Sequence, residues 1–235
     1  MDIRELVRRR CDLSTFVVHL TRDGKSQTAR ERLKSILNCG RIKAKSMFGH
    51  AKNSLEEKNF QYDSQKCVCF TETPLEYTYL LLEKIDHRKV EFEPYGIAVT
   101  KRLAREEGVN PVWYLDITPG HDWLTKPVNE LIDRAIESGN FEDTPIAKLA
   151  PFIEQMGTKE NEYRKEFWWE REWRKQGHFK LPDHFIVLCP EDDHKDFKKF
   201  LCKKDLSVPL LDPTWGLEQI IARLAGFEAN TIEML

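Results

Sequence analysis

Three tryptophans and three glutamates fall within the eight residues Glu166 to Trp173 of the stretch EFWWEREWRKQG. Carboxylates set two apart among aromatic rings suit two kinds of chemistry. One is stabilising positive charge that develops only in a transition state. The other is moving a proton to or from a reacting group. The same composition also suits a plain staple into a core, so the conformation decides. As a helix, Trp169 and Trp173 stack four apart beside Glu166 and Glu170. As a strand, Glu170, Glu172 and Arg174 share one face, and Trp169, Arg171 and Trp173 share the other. The reading adopted is a helical or irregular segment to about Trp168, then a strand from about Glu170. That places aromatics behind the strand and two carboxylates, Glu170 and Glu172, in front of it. The Gln176-Gly177 stop and the apolar run at 184–189 suit a hairpin with a long loop.

Two further segments carry polar groups at strand ends. LSTFVVHLT (13–21) is β-branched and aromatic, and as a strand it puts His19 and Thr21 on the face opposite Phe16, Val18 and Leu20. KCVCFTE (66–72) faces Val68, Phe70 and Glu72 one way and Cys67, Cys69 and Thr71 the other. Its continuation, Thr73-Pro74 with Glu76, has capping-box spacing for a following helix. That assigns Thr73 to the cap and leaves Thr71 and Glu72 unexplained.

These groups must be positioned by a mixed set of elements. DIRELVRRRC at the start has an amphipathic helical pattern. SQTARERLKSILNCG reads as a helix capped by Ser26 or Thr28 and stopped by Gly40. RIKAK is extended, and 46–64 lacks a period and reads as a loop. TPLEYTYLLLEKI opens a helix at Pro74; YGIAVTK and VWYLDI read as strands around a short helix, RLAREEG. Residues 123–156 read as helical in two pieces broken near Pro145. HFIVLCP, a helix from Glu191, SVPLL and a last helix, TWGLEQIIARLAG, complete the chain. Strands and helices mix without regular βαβ alternation, so the fold class is α+β. No linker-like stretch interrupts residues 1–235, which reads as a single domain with a helical insertion at about 120–160.

Composition excludes several classes. Forty per cent hydrophobic and 32% charged residues make a folded, water-soluble chain. No apolar run approaches the ~20 residues of a membrane span, and MDIRELVRRR lacks a signal-peptide core, so the expected location is cytoplasmic, without membrane. The six cysteines contain no CxxC pair and read as reduced thiols, with no metal site. A net charge of −2 gives no global field for nucleic acid, yet residues 22–45 are rich in Lys and Arg against only Asp23 and Glu31. No GxGxxG or GxxxxGK pattern is present. Trp113, Trp123 and Trp215 read as core; His87, His121, His178, His184 and His194 read as surface.

HLT, the helix A-x3-L-x2-IL-x2-G-x-I, VCFTETPL and EREWR, in that order, resemble the AbiGi-type abortive-infection proteins and related phage-defence toxins. More distantly they are similar to the ADP-ribosyltransferase fold of the DarT and RNA 2′-phosphotransferase kind. The resemblance covers about residues 13–116 and 166–189. It implies a split mixed β-sheet flanked by helices and an NAD-consuming transferase toxin, which a cognate antitoxin protein would restrain. It implies that His19, with Thr21 beside it, meets the adenosine-side ribose, that Arg22 or Arg41 meets the pyrophosphate, and that Phe70, Thr71 and Glu72 line the nicotinamide end. Glu172 would be the catalytic glutamate and Glu170 the accessory group that orients the acceptor. Thr71 stands where some branches carry tyrosine, and Tyr95 or Tyr114 is a candidate for the missing ring. The basic segment and the aromatics favour RNA or single-stranded DNA over protein as acceptor. Two alternatives stay open: an NAD glycohydrolase or metal-independent nuclease using Glu170, Glu172, His19 and His50, and a non-catalytic antitoxin.

Overall fold

The computed structural model describes residues 10–85, 88, 90–158 and 164–227. In chain order the elements are β1 (Phe16–Leu20), α1 (Ala29–Cys39), β2 (Arg41–Ile42), β3 (Ser46–Met47), α2 (Lys52–Glu57) and β4 (Lys66–Thr71). A 3-10 helix at Leu75–Leu81 leads to β5 (Gly96–Thr100), α3 (Lys101–Glu106), β6 (Asn110–Pro111), β7 (Trp113–Asp116), α4 (Thr125–Glu137) and α5 (Pro145–Leu149). Then come β8 (Ile153–Thr158), β9 (Arg164–Lys165), a 3-10 helix at Phe167–Glu170, β10 (Glu172–Gln176), β11 (Phe179–Lys180) and β12 (Ile186–Leu188). α6 (His194–Cys202), β13 (Leu210–Leu211) and α7 (Leu217–Leu224) are the last elements among the described residues. The fold is α+β with mixed pairing, as the element order implies.

The chain divides into two compact units, each discontinuous in sequence. The first holds residues 1–40, 72–104 and 181–235. Its strands run β13-β12-β5-β1, with β12 and β13 parallel and the other pairs antiparallel. Val18, Leu20, Ala98, Ile186, Leu188 and Leu211 pack on Leu75, Leu81, Trp215 and Ile220. Alternation along β1 sends Val18 and Leu20 into this core and leaves His19 half-buried on the other face, opposite Ile97 in register. α1 is set by its ends. Thr28 and Glu31 form a capping box, Gly40 closes it at φ 63°, and Ala29, Leu33 and Leu37 make one buried stripe.

The second unit holds residues 41–71 and 105–180. β10 lies antiparallel between β4 and β6, β3 pairs β4, β2 pairs β11, and β7-β8-β9 form a further sheet. Its apolar centre gathers Met47, Leu55, Ile132, Ile136, Phe141 and Ile146.

Several expectations are corrected. Residues 46–64 are not a loop: Leu55 is fully buried from α2, and Met47 from β3, so burial rather than a long period organises the segment. The helix after β4 is 3-10, with Pro74 rather than Thr73 at its N-cap, which places Glu76 one position too early for a capping box. Helix ends at Phe152, and residues 153–158 are a strand. β10 and β12 do not form a hairpin, since β10 pairs β4 and β6 while β12 pairs β5 and β13. Trp113 and Trp123 are exposed rather than core, whereas Trp215 is buried. His194 is buried, its ring bonded to the Cys189 carbonyl and edge-on to Trp215; burial pulls its pKa down. The expected first helix falls almost wholly on residues 1–9, and His87 likewise lies outside the described residues.

Candidate functional site

Glu172 is the first residue of β10, and its neighbours explain why the strand begins there. Glu170 ends the 3-10 helix, and Arg171 takes a left-handed conformation at φ 46°, which costs an L-residue about 1–2 kcal/mol. Hydrogen bonds hold the chain on both sides of that break. Thr71 Oγ1 donates to the Glu170 carbonyl at 2.6 Å, and the Glu172 N–H donates to the Tyr114 hydroxyl at 3.1 Å. The Glu172 carbonyl accepts from the Val112 N–H at 2.9 Å. Period-two alternation therefore starts at Glu172, not at Glu170. Cross-strand partners share a face, so Glu172 and Arg174 lie beside Thr71 and Cys69, while Trp173 lies beside Phe70 on the other face.

Arg174 is the centre of the site. It is 1% exposed, and four of its donors are used. Nε and Nη2 fork onto the two oxygens of Glu172 at 2.8 Å each, and Nη2 also donates to Glu154 Oε2 at 2.6 Å. Nη1 donates to the Pro151 carbonyl at 2.7 Å, and the guanidinium lies over the Phe48 ring at 5.3 Å. Burial works against its charge, but the charges of Glu172 and Glu154 and the hydrogen bonds to Glu172 outweigh it and raise the Arg174 pKa well above its ordinary value. Burial likewise pushes the Glu154 carboxyl up, and the charge and hydrogen bond of Arg174 reverse that and hold it below its ordinary value. Burial, then the charge of Glu172, raises the Cys69 thiol, so Cys69 stays a protonated donor. Burial also raises the Tyr114 hydroxyl.

Two carboxylates on one guanidinium leave a formal charge of −1. Glu172 and Glu154 keep 20% and 30% of their side chains exposed, so this excess faces partly open space while its counter-ion is buried. Such a fixed anion favours a cation that forms beside it. Gly49 makes the arrangement possible. At φ 91° it lets the chain pass so close to residues 150–151 that a Cβ would stand 2.0 Å from the Ala150 carbonyl oxygen. This crossing sets Phe48 over Arg174 and lets the His50 N–H bond Ala150 O at 3.1 Å. His50 is buried, bonded to Asn129 Oδ1 at 2.6 Å and Gln155 Nε2 at 3.4 Å. Both of its ring nitrogens are thereby engaged.

The eight residues singled out by sequence fall four in each unit. In the second unit Thr71, Glu170 and Glu172 come together, but Phe70 does not join them: it is buried on the opposite face, edge-on to Phe179 at 4.9 Å. In the first unit Thr21 is buried and its hydroxyl is offered to the carbonyls of Ala29 and Tyr95, both at 3.0 Å. Arg22 and Arg41 are exposed. Glu72 is buried against Lys101 Nζ at 2.6 Å. Tyr95 binds Asp193, whereas Tyr114 touches the Glu172 backbone, so the ring beside the candidate glutamate is Tyr114. The sequence reading missed Arg174 as a partner and Glu154 altogether. Arg174 stood on the predicted face of Glu172; Glu154 was hidden in a segment read as helix. No cluster of three metal-type side chains occurs among the described residues, and among them no helix is long and apolar enough to cross a membrane.

The architecture and site define an α+β protein whose charged centre is a guanidinium shared by two carboxylates. Residues 35–199, well over half of the chain, match the family described as "Putative abortive phage resistance protein AbiGi, antitoxin", and the chain belongs to that family. No curated protein and no solved structure matches it significantly.

Proposed function

We propose that this chain acts in a phage-defence system of the toxin–antitoxin kind, and that its chemistry is transfer of ADP-ribose from NAD, with Glu172 facing the reacting sugar. The observation that carries this reading is the net anion formed by Glu172 and Glu154 around buried Arg174. When the bond from the sugar to nicotinamide breaks, the electron pair leaves with the nicotinamide nitrogen and positive charge develops on the sugar. A preoriented, partly buried carboxylate stabilises that charge more than it stabilises the ground state. Arg174 fixes the orientation of Glu172 without cancelling the excess. The ADP-ribosyltransferase-like fold, the NAD contacts of His19, Thr21 and Arg22, and an RNA or single-stranded DNA acceptor come from the sequence resemblance and belong to the same proposal.

The test uses labelled NAD with the purified protein and its Glu172→Gln variant, offered RNA, single-stranded DNA, duplex DNA and cell lysate. Label on one polymer with wild type alone supports a transferase and names the acceptor class. Nicotinamide release without a labelled polymer supports a glycohydrolase.

The family's description favours a second reading, in which the chain is an antitoxin and its partner a toxin rather than the antitoxin expected from sequence. Under it Arg174 and its carboxylates are structural. Inert wild type toward NAD, together with neutralisation of a co-expressed toxin by both wild type and Glu172→Gln, supports that reading.

A further inference from the structure

Glu154 carries no motif, yet it converges on the same nitrogen as Glu172. Arg174 Nη2 donates to Oε2 of Glu154 at 2.6 Å and to Oε2 of Glu172 at 2.8 Å. Those two oxygens are therefore no more than about 5.4 Å apart, close enough for both carboxylates to face one reacting centre. Tyr114 ties the two together from a third strand. It is the register partner of Glu154 in the β7–β8 pair, and its hydroxyl accepts from the Glu172 N–H. Glu154 Oε1 is approached by the N–H of Gln155 at 3.1 Å, so both oxygens are oriented. Of the two carboxylates on Arg174, Glu154 is the more exposed. Glu170, by contrast, lies beyond left-handed Arg171 and outside the strand, so the alternation that matched it to Glu172 does not apply.

We propose that Glu154 is the second working carboxylate of this site, the base that takes the proton from the acceptor, in place of Glu170. The inference rests on the transferase reading above. In the step, the bond between the sugar carbon and nicotinamide breaks and its electron pair stays on the nicotinamide nitrogen, which becomes neutral. A lone pair of the acceptor's hydroxyl or amine closes the new bond to that carbon. The acceptor proton passes to Glu154 and from there to water, so one NAD and one acceptor yield one ADP-ribosylated product, one nicotinamide and one proton. Arg174 serves both carboxylates, holding Glu154 ionised and ready to accept.

The experiment compares wild type, Glu154→Gln, Glu154→Asp and Glu170→Gln at pH 7.5 for label transfer to an acceptor and for nicotinamide release without one. The expected result is a loss of about 10²–10⁴-fold in transfer for Glu154→Gln, the range for removal of a general base, while its nicotinamide release without acceptor falls by less than about tenfold. Glu154→Asp keeps the charge and shows a smaller loss of transfer, while Glu170→Gln stays within about threefold of wild type. A merely structural Glu154 would lower transfer and acceptor-free nicotinamide release together, and that result overturns the proposal. So does transfer by Glu154→Gln within about threefold of wild type, or a loss confined to Glu170→Gln. Wild type inert toward NAD is a different failure, since it removes the transferase reading itself and this proposal with it.

Discussion

Arg174→Met is the substitution that most directly tests the charged centre. Methionine fills much of the same volume but removes four hydrogen bonds and leaves Glu172 and Glu154 facing each other without the guanidinium between them. Removing one partner of a buried ion pair costs about 3–5 kcal/mol. Both carboxylates here remain partly exposed, so water screens them and the low end, about 3 kcal/mol, applies. For a unit of about a hundred residues that is a fall in Tm of roughly 10–20 °C. The pH dependence is a sharper test than the size. In wild type the Glu154 pKa is depressed, so its contribution is fully present above the ordinary carboxylate pKa of about 4.5 and is lost only as pH falls through the lower folded value. In the variant burial and the facing Glu172 are opposed only by the Gln155 N–H and the charge of Lys165, so the Glu154 pKa rises, protonation relieves the repulsion and the variant gains stability as pH falls from 7.5 towards 5. The gap between the two proteins therefore narrows on acidification. Urea unfolding followed by tryptophan fluorescence at pH 7.5 and 5 measures it, because Trp113, Trp123, Trp168, Trp169 and Trp173 all lie in the second unit. A loss below about 1 kcal/mol at pH 7.5, or a gap that does not change with pH, would refute the account of Arg174 as a buried counter-ion.

The remaining predictions concern the scaffold. Gly49→Ala should lower the thermal midpoint measurably, costing more than about 1 kcal/mol, because the position needs φ 91° and the added methyl meets the Ala150 carbonyl; an unchanged midpoint would show that the crossing relaxes freely. Thr28→Ala should cost about 1 kcal/mol through loss of the α1 cap, seen as faster amide exchange at Glu31 without a change in the second unit. Cys11, Cys39 and Cys202 are exposed and should react with a thiol reagent in the native protein. Burial raises Cys67 to about 11, Cys189 to about 12 and Cys69 as well, so these three should react only on unfolding. Mass spectrometry of quenched time points distinguishes the two sets.

What the sequence showed, and what it hid, follows from the range of the forces involved. α1 was readable to its ends because capping and the left-handed stop are local: Thr28, Glu31 and Gly40 act within a turn of the helix. β1, β4, β5 and β12 were readable because each is an apolar run whose burial fixes its state regardless of its partner. The start of β10 was misplaced by two residues. Its boundary is set by Arg171 at a positive φ, a conformation an arginine takes only when Thr71 and Tyr114, far away in sequence, hold both sides. The two discontinuous units left no linker to find, since the chain passes between them after α1, after β4, inside α3 and after β11, and none of these crossings is a Gly- or Ser-rich spacer. Glu154 was the least legible residue of the site. IEQMG has no strong strand period and follows two short helices, so local propensity favours extending the helix. Its strand state comes from pairing with β7, in register Tyr114 to Glu154, and from Arg174 reaching across from β10. A motif marks a residue only when its neighbours in sequence are also its neighbours in chemistry. Glu172 and Arg174 meet that condition, two apart on one strand face. Glu154 does not, and its relation to them exists only after three strands have assembled around one guanidinium.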